Sequence, residues 1–248
     1  MVKLPGLCVV LVRTRNPLNI GAVARAMQNF GVDDLRLVTP FEASFREARS
    51  AVGAGRVLQT AREFVSVADA IADCRLAIGT TAARRRELEQ PLVDLEKAAA
   101  PVHAALTQGR VALLFGSEKH GLRREDLDHC HWLVRITTEE TQPSMNLGQA
   151  VAVCLWELAR AGGVPALERE PRAISGGAVS GDLDRLGELA MQVLDEAGYT
   201  HPETVESTAA EVRRMLRRVQ VTETDTHLLL GMLRKLLRKL RAGSKESG

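Results

Sequence analysis

The apolar positions of this chain follow two periods in turn. Leu7–Val12 (LCVVLV) is an unbroken apolar run of strand length, the pattern of a strand buried on both faces. After the polar loop Arg13–Asn19, the residues Ile20, Val23, Ala24, Met27 and Phe30 recur at helical spacing, and Gly31 marks the stop. Leu35–Val38, Arg75–Gly79, Val111–Phe115 and Leu133–Ile136 read as four more strands. Helical stretches are predicted near Phe45–Ala61, Val65–Cys74 and Leu95–Leu106, with a short helix after the loop GSEKHGLRRE. Met145, Leu147, Ala150, Val151, Cys154, Leu155 and Leu158 then give one more helix a broad apolar face. Strands separated by helices predict an α/β fold with a parallel sheet covered on both sides. In such sheets ligands gather beyond the carboxyl ends of the strands. That rule collects the loops Arg13–Arg25, Gly79–Arg86, Gly116–Gly121 and Thr137–Asn146 into one neighbourhood.

At Ala161 the periodicity stops. Residues 161–181 are rich in Gly and Pro and read as a flexible linker. Residues 182–248 carry three helical segments, near Asp182–Ala197, Thr204–Val219 and Thr224–Arg241. In the last of these, Leu229, Leu233, Leu236 and Leu240 form an apolar stripe beside a basic one of Arg234, Arg238 and Arg241. A basic amphipathic helix suits a membrane surface as well as a polyanion, but this one lacks Trp and Phe anchors. The expected division is therefore 1–160, an α/β domain, and 182–248, a helical basic extension.

Composition sharpens the picture in three ways. Hydrophobic residues make up 45% of the chain but aromatics only 3%, so the core must be aliphatic. No apolar run reaches the roughly eighteen residues of a membrane span, and the start lacks a signal-peptide pattern, which predicts a cytoplasmic protein. Cys8, Cys74, Cys130 and Cys154 are scattered without a CxxC, as suits reduced thiols. His129-Cys130-His131 invites a metal reading, but neighbours on a strand point to opposite faces and converge poorly, so no metal is expected. The net charge of +2 hides clusters: Arg84-Arg85-Arg86, and Arg213, Arg214, Arg217 and Arg218. Clustered positive charge suits RNA; the alternative is a solvated helix face.

Taken singly, the chemistry-bearing stretches are weak. Gly116–Gly121 (GSEKHG) lacks the GxxxxGK[ST] spacing of a phosphate loop, and no GxGxxG, GxSxG or HExxH is present. Ser144 and Asn146 stand where a strand hands over to a helix, so they either cap that helix or face a ligand. Asn19 has the same two readings ahead of the Ile20 helix.

Taken together, Asn19–Arg25 (NIGAVAR), Leu114–Glu118 (LFGSE) and Ser144–Leu147 (SMNL) resemble, in order and spacing, the three motifs of the SPOUT RNA ribose 2′-O-methyltransferases. Arg15-Asn16-Pro17, Gly79–Ala82 and Cys130-His131 are most similar to the TrmJ type of that family, and the helical tail resembles its extension more loosely. The resemblance implies a mostly parallel, five- to six-stranded sheet tied in a trefoil knot, with a small all-α C-terminal extension. It implies a homodimeric, cytoplasmic enzyme that uses S-adenosyl-L-methionine to methylate a ribose 2′-hydroxyl in tRNA, at the pyrimidine of anticodon-loop position 32. The alternatives are a SPOUT enzyme acting on rRNA or another tRNA position, or a non-catalytic RNA-binding dimer. Carried onto this chain, the cofactor pocket falls on Thr80, Thr81, Ala82, Gly116, Ser117, Glu118, Ile136, Pro143, Ser144, Met145 and Leu147. The catalytic set is Arg25, Asn19, Glu118, Ser144 and Asn146, with Glu118 orienting Arg25 or Asn19. Phosphate contacts fall on Arg84, Arg86, Arg213, Arg214, Arg217 and Arg218.

Overall fold

A computed structural model describes residues 3–41, 55–82, 88–161 and 176–246. Seven strands form one sheet in the order β3-β2-β1-β6-β4-β7-β5, every neighbouring pair parallel. They are β1 (Leu7–Val12), β2 (Asp34–Val38), β3 (Arg62–Phe64), β4 (Cys74–Thr80), β5 (Leu92–Asp94), β6 (Arg110–Phe115) and β7 (Trp132–Arg135). The five strands expected from periodicity are β1, β2, β4, β6 and β7. The expected count of five to six falls short because β3 and β5 are three-residue edge strands with little buried side chain, too short to show a period.

The unbroken apolar runs have a simple cause. Leu7, Val9 and Leu11 of β1 enter one core while Cys8, Val10 and Val12 enter the other. Over the first core lie α1 (Pro17–Asn29), α2 (Arg56–Gln59), α4 (Leu95–Leu106) and α6 (Leu147–Arg160). On the second lie α3 (Val67–Ile71) and the short α5 (Arg124–Leu127). Of the helix expected over Phe45–Ala61, α2 and its flanks are described and the rest lies outside the described residues.

Helix α1 starts where the chemistry of its first turn dictates. Asn16 Oδ1 accepts from the Leu18 N–H at 2.9 Å and Pro17 holds the first helical position. Asn16, not Asn19, is therefore the cap. Helix α6 begins at Leu147 with Asn146 as cap, its Oδ1 accepting from Gly148 and Gln149.

Three further helices follow: α7 (Ser180–Glu196), α8 (Val205–Arg218) and α9 (Glu223–Glu246). They share a small core of Leu183, Leu186, Leu216, Val221 and Leu230. The buried stripe of α9 runs through Leu230 and Leu237, and Leu236, expected inside, is 51% exposed. Leu229 and Leu233 of the expected stripe do pack against that core.

The extension docks on the sheet's second face. Ser180 Oγ donates to the Cys74 carbonyl at 2.9 Å, and the Gly181 N–H to that of Ala72 at 3.0 Å. Arg217, fully buried, bonds Asp184 at 2.9 Å and the His129 carbonyl at 3.0 Å. Arg214 bonds Asp128 at 2.9 Å and Glu89 at 2.6 Å.

Candidate active site

A cavity of about 360 Å³ opens at the carboxyl ends of β4, β6 and β7, where a parallel sheet is expected to hold its ligand. Its first wall continues β4. Thr80 Oγ1 donates to the Leu114 carbonyl at 2.9 Å and the Thr81 N–H to that of Val134 at 3.0 Å, so this loop is pinned to both neighbouring strands.

The second wall is the loop after β6. The Gly121 N–H donates to the Ser117 carbonyl at 2.8 Å, closing a tight turn in which Gly121 has φ +66°. A Cβ at Gly116 would lie 1.9 Å from the Gly121 carbonyl carbon. Only glycine lets these two backbone segments touch. The third wall is the segment ahead of α6, carrying Pro143, Ser144 and Met145.

Every residue assigned to the cofactor by resemblance lines this one cavity: Thr80, Thr81, Ala82, Gly116, Ser117, Glu118, Ile136, Pro143, Ser144, Met145 and Leu147. Phe115, Leu122, Leu127 and Val134 add an apolar floor, and Lys119, His120 and Thr138 a polar rim. Those last three carry no signal in the sequence; the turn of each loop alone brings them to the opening.

Side chains from three distant stretches meet at the rim. Asn146 Nδ2 donates to Asn19 Oδ1 at 2.9 Å, and Asn19 Nδ2 donates to Glu118 Oε1 at 2.9 Å. Glu118 also accepts from the backbone N–H groups of Asn16 at 3.2 Å and Arg15 at 3.4 Å. Burial alone would raise its pKa, but Asn19 and these backbone donors outweigh it and hold the carboxyl below the ordinary glutamate value. Glu118 is thus an anionic staple between the loop after β1 and the loop after β6. Of the two partners expected for it, the structure brings Asn19 to it.

Arg25 stands apart. Its side chain is exposed on α1 and does not line the cavity. It shares an exposed stripe with Leu18 and Ala22, spaced at i, i+4 and i+7. Ala22 also marks the close crossing of α1 and α6, where a Cβ on Gly148 would lie 2.6 Å from its own.

Arg84 and Arg86 lie outside the described residues. Of the C-terminal arginines, Arg218 is exposed and Arg213 partly so. Arg217 and Arg214, expected to meet phosphate, instead hold the extension to the α/β domain, because each is neutralised by carboxylates at that seam. His131, in the stretch that invited a metal reading, accepts the Ala77 N–H on Nδ1 at 3.1 Å, and burial pushes its pKa down to about 3.

Comparison with known proteins points to one family. Residues 6–156 match the SpoU rRNA Methylase family. The chain is 32% identical over 232 residues to the tRNA (cytidine/uridine-2′-O-)-methyltransferase TrmJ of Klebsiella pneumoniae, covering 91% of this chain and 93% of that protein. It is also 32% identical over 237 residues to the tRNA (cytidine/uridine/adenosine-2′-O-)-methyltransferase TrmJ of Pseudomonas aeruginosa, covering 91% of each. Among solved structures, TrmJ from Z. mobilis ZM4 superposes with a TM-score of 0.79 at 31% identity, covering 95% of this chain and 99% of that one.

Proposed function

This chain belongs to the SpoU methylase family in its TrmJ type, and we propose that it transfers a methyl group from S-adenosyl-L-methionine to a ribose 2′-hydroxyl of tRNA, at the pyrimidine of anticodon-loop position 32. The observation that carries this reading is the hydrogen-bonded chain Asn146–Asn19–Glu118, which joins all three motifs at the rim of one cavity.

The cavity suits the cofactor on its own terms. Its volume falls within the range of about 300–1,000 Å³ typical of small-molecule sites. The Gly116–Gly121 contact exposes backbone to a ligand while Phe115, Leu122 and Val134 supply an apolar bed. Thr80–Ala82, Gly116, Ser117, Ile136 and Pro143–Leu147 would hold it, and the sulfonium would supply an already activated methyl group.

The protein's task is then alignment, which in ideal cases removes roughly 7–11 kcal/mol from a barrier. Asn19 and Asn146, fixed through Glu118, position the ribose, with Ser144 beside them. A guanidinium stays protonated in a protein, so Arg25 serves as a fork on phosphate and hydroxyl that stabilises developing negative charge, and phosphate or water takes the proton.

Arg25 reaches a site through homodimerisation. Leu18 (80% exposed) and Trp156 (50% exposed) lie on the outer faces of α1 and α6, large apolar surfaces that a second copy would cover. Pairing there carries Arg25 towards the partner's cavity. The insertion of β7 between β4 and β5, after the chain has already laid β6 beside β1, supports a trefoil-knotted threading of the α/β domain. Residues 182–248 serve as an RNA-binding extension after a linker, with Arg213, Arg218 and the Arg84 and Arg86 pair on phosphates. No helix among the described residues is long and apolar enough to cross a membrane, in keeping with a cytoplasmic enzyme.

Incubation with labelled S-adenosyl-L-methionine and total tRNA, followed by nucleoside mapping, tests the reading. Label in a 2′-O-methylated pyrimidine at position 32 is expected. Label only in rRNA, or retained by a tRNA lacking its anticodon stem-loop, overturns it.

A further inference from the structure

Phe41 sits where nothing in the methyl-transfer site uses it. Aromatics are 3% of this chain, yet this ring is 60% exposed at the carboxyl end of β2. The backbone around it is built rather than loose. The Phe41 N–H donates to the Thr14 carbonyl at 3.1 Å, the Arg13 N–H to that of Val38 at 2.9 Å and the Thr39 N–H to that of Phe64 at 3.0 Å.

Two non-glycine residues in this crossing adopt left-handed backbone, Arg13 with φ +55° and Thr39 with φ +41°. The fully buried Thr14 hydroxyl lacks a hydrogen-bond partner among the described residues. Such conformations cost on the order of 1–3 kcal/mol each and persist where the surroundings over-determine them. Here Asp126, almost wholly buried, anchors Arg13 by accepting from its guanidinium while also accepting from the Arg123 N–H at 2.6 Å, and the bond to Phe64 anchors Thr39. The same stretch then offers the Arg15 and Asn16 N–H groups to Glu118. One continuous piece of backbone therefore ties the ring to the rim of the cavity.

Strand β1 lies between β2 and β6, so the carboxyl ends of β2 and β6 are two strand spacings, roughly 10 Å, apart. Phe41 lies three residues past the end of β2 and Glu118 three past the end of β6, on the same sheet edge with only the loop after β1 between them.

We propose that Phe41 is a stacking platform for an unpaired base beside the methylated nucleotide. The inference rests on the tRNA methyltransferase reading above. Single-stranded loops are recognised largely by stacking splayed bases on aromatic side chains, a contact every base can make. It would hold the loop open without dictating which base is methylated.

The test uses the full-length protein and a tRNA with 2-aminopurine next to the target nucleotide. Wild type and Phe41→Trp should quench the probe and share a KM for tRNA. Phe41→Leu, which keeps the apolar bulk, and Phe41→Ala should lose the quench and raise that KM roughly 5- to 150-fold, the span of one base–aromatic stack. Affinity for S-adenosyl-L-methionine should not change. Full quench and unchanged KM in Phe41→Leu would overturn the platform while leaving the enzyme's activity intact. A shift of the monomer–dimer balance with RNA affinity unchanged would also overturn it, by assigning the ring to the subunit interface. Absence of any tRNA methylation by wild type would instead overturn the functional reading.

Discussion

Asn19 and Asn146 stand 127 positions apart and share a hydrogen bond of 2.9 Å. Asn146 is doing two jobs with its two ends. Its oxygen caps α6 through Gly148 and Gln149, while its nitrogen fixes Asn19. The two readings of such a residue, cap or site, are therefore both true of the one side chain.

The jobs separate by mutation. Asn146→Asp keeps the capping oxygen but cannot donate to Asn19, so its melting temperature should stay near wild type while methyl transfer collapses. Asn146→Ala should lose both, with about 1 kcal/mol of stability gone with the cap. Thermal melts beside single-turnover assays check this, and an active Asn146→Asp variant would show that the bridge is dispensable.

Glu118 is held ionised by donors from the Arg15–Asn19 stretch after β1. Glu118→Gln removes the charge at constant size, and a charge-assisted bond to a partly exposed group is worth at least about 1.5 kcal/mol. The expected result is a fall in kcat/KM of roughly tenfold or more with the fold intact. Equal turnover in the Gln variant would reduce Glu118 to a surface acid.

Much of this was legible in the sequence, and for identifiable reasons. Leu7–Val12 could be read because a strand covered on both faces must be apolar at every position. Gly116 and Ser117 could be reached only through the resemblance of LFGSE to a family motif; the physical reason, a backbone approach that leaves no room for a Cβ at Gly116, shows only in the fold. Arg62–Phe64 could not, since an exposed edge strand imposes no pattern. Arg217 was misread for a related reason: a sequence shows charge but not burial, and its neutralising Asp184 sits 33 positions away on another helix.

That contrast predicts opposite phenotypes for neighbouring arginines. Arg217→Ala removes the nearest cation from Asp184 at a buried seam, leaving it, among the described residues, only Arg213 at 4.0 Å and His129 at 3.8 Å, and should cost about 3–5 kcal/mol. Arg218, exposed on the same helix, should leave the melting temperature unchanged when replaced by alanine. Its loss should weaken tRNA binding and lower the slope of log affinity against log salt by roughly one. Denaturant melts and salt-titrated binding separate the two.

Two buried histidines set a pH dependence. Burial is the main cause that pushes His129 down to about 4 and His131 to about 3, with Arg217 adding to both. An unfolded imidazole titrates near 6.5, so between about pH 6.5 and pH 4 the unfolded chain binds protons that the folded one refuses. Stability is thus full above that window and falls as pH drops through it, by up to about 1.4 kcal/mol per pH unit for each histidine. His131→Gln retains an acceptor for the Ala77 N–H and should flatten the slope by one proton. An unchanged slope in urea melts across this range would refute the assignment.

Arg25 is the hardest residue to place, because it lies on the outer stripe of α1 with Leu18 and not on its own chain's cavity. If its role is geometric, charge alone will not replace it. Lysine retains the cation but not the planar fork that grips phosphate and hydroxyl together. Arg25→Lys should then be nearly as inactive as Arg25→Ala, with S-adenosyl-L-methionine affinity unaffected in both. If the residue acts across a dimer, mixing inactive Arg25→Ala with inactive Asn146→Asp protein should restore activity, since one of the two sites in each heterodimer regains both side chains. Heterodimers without activity, verified by mass, would return Arg25 to its own subunit.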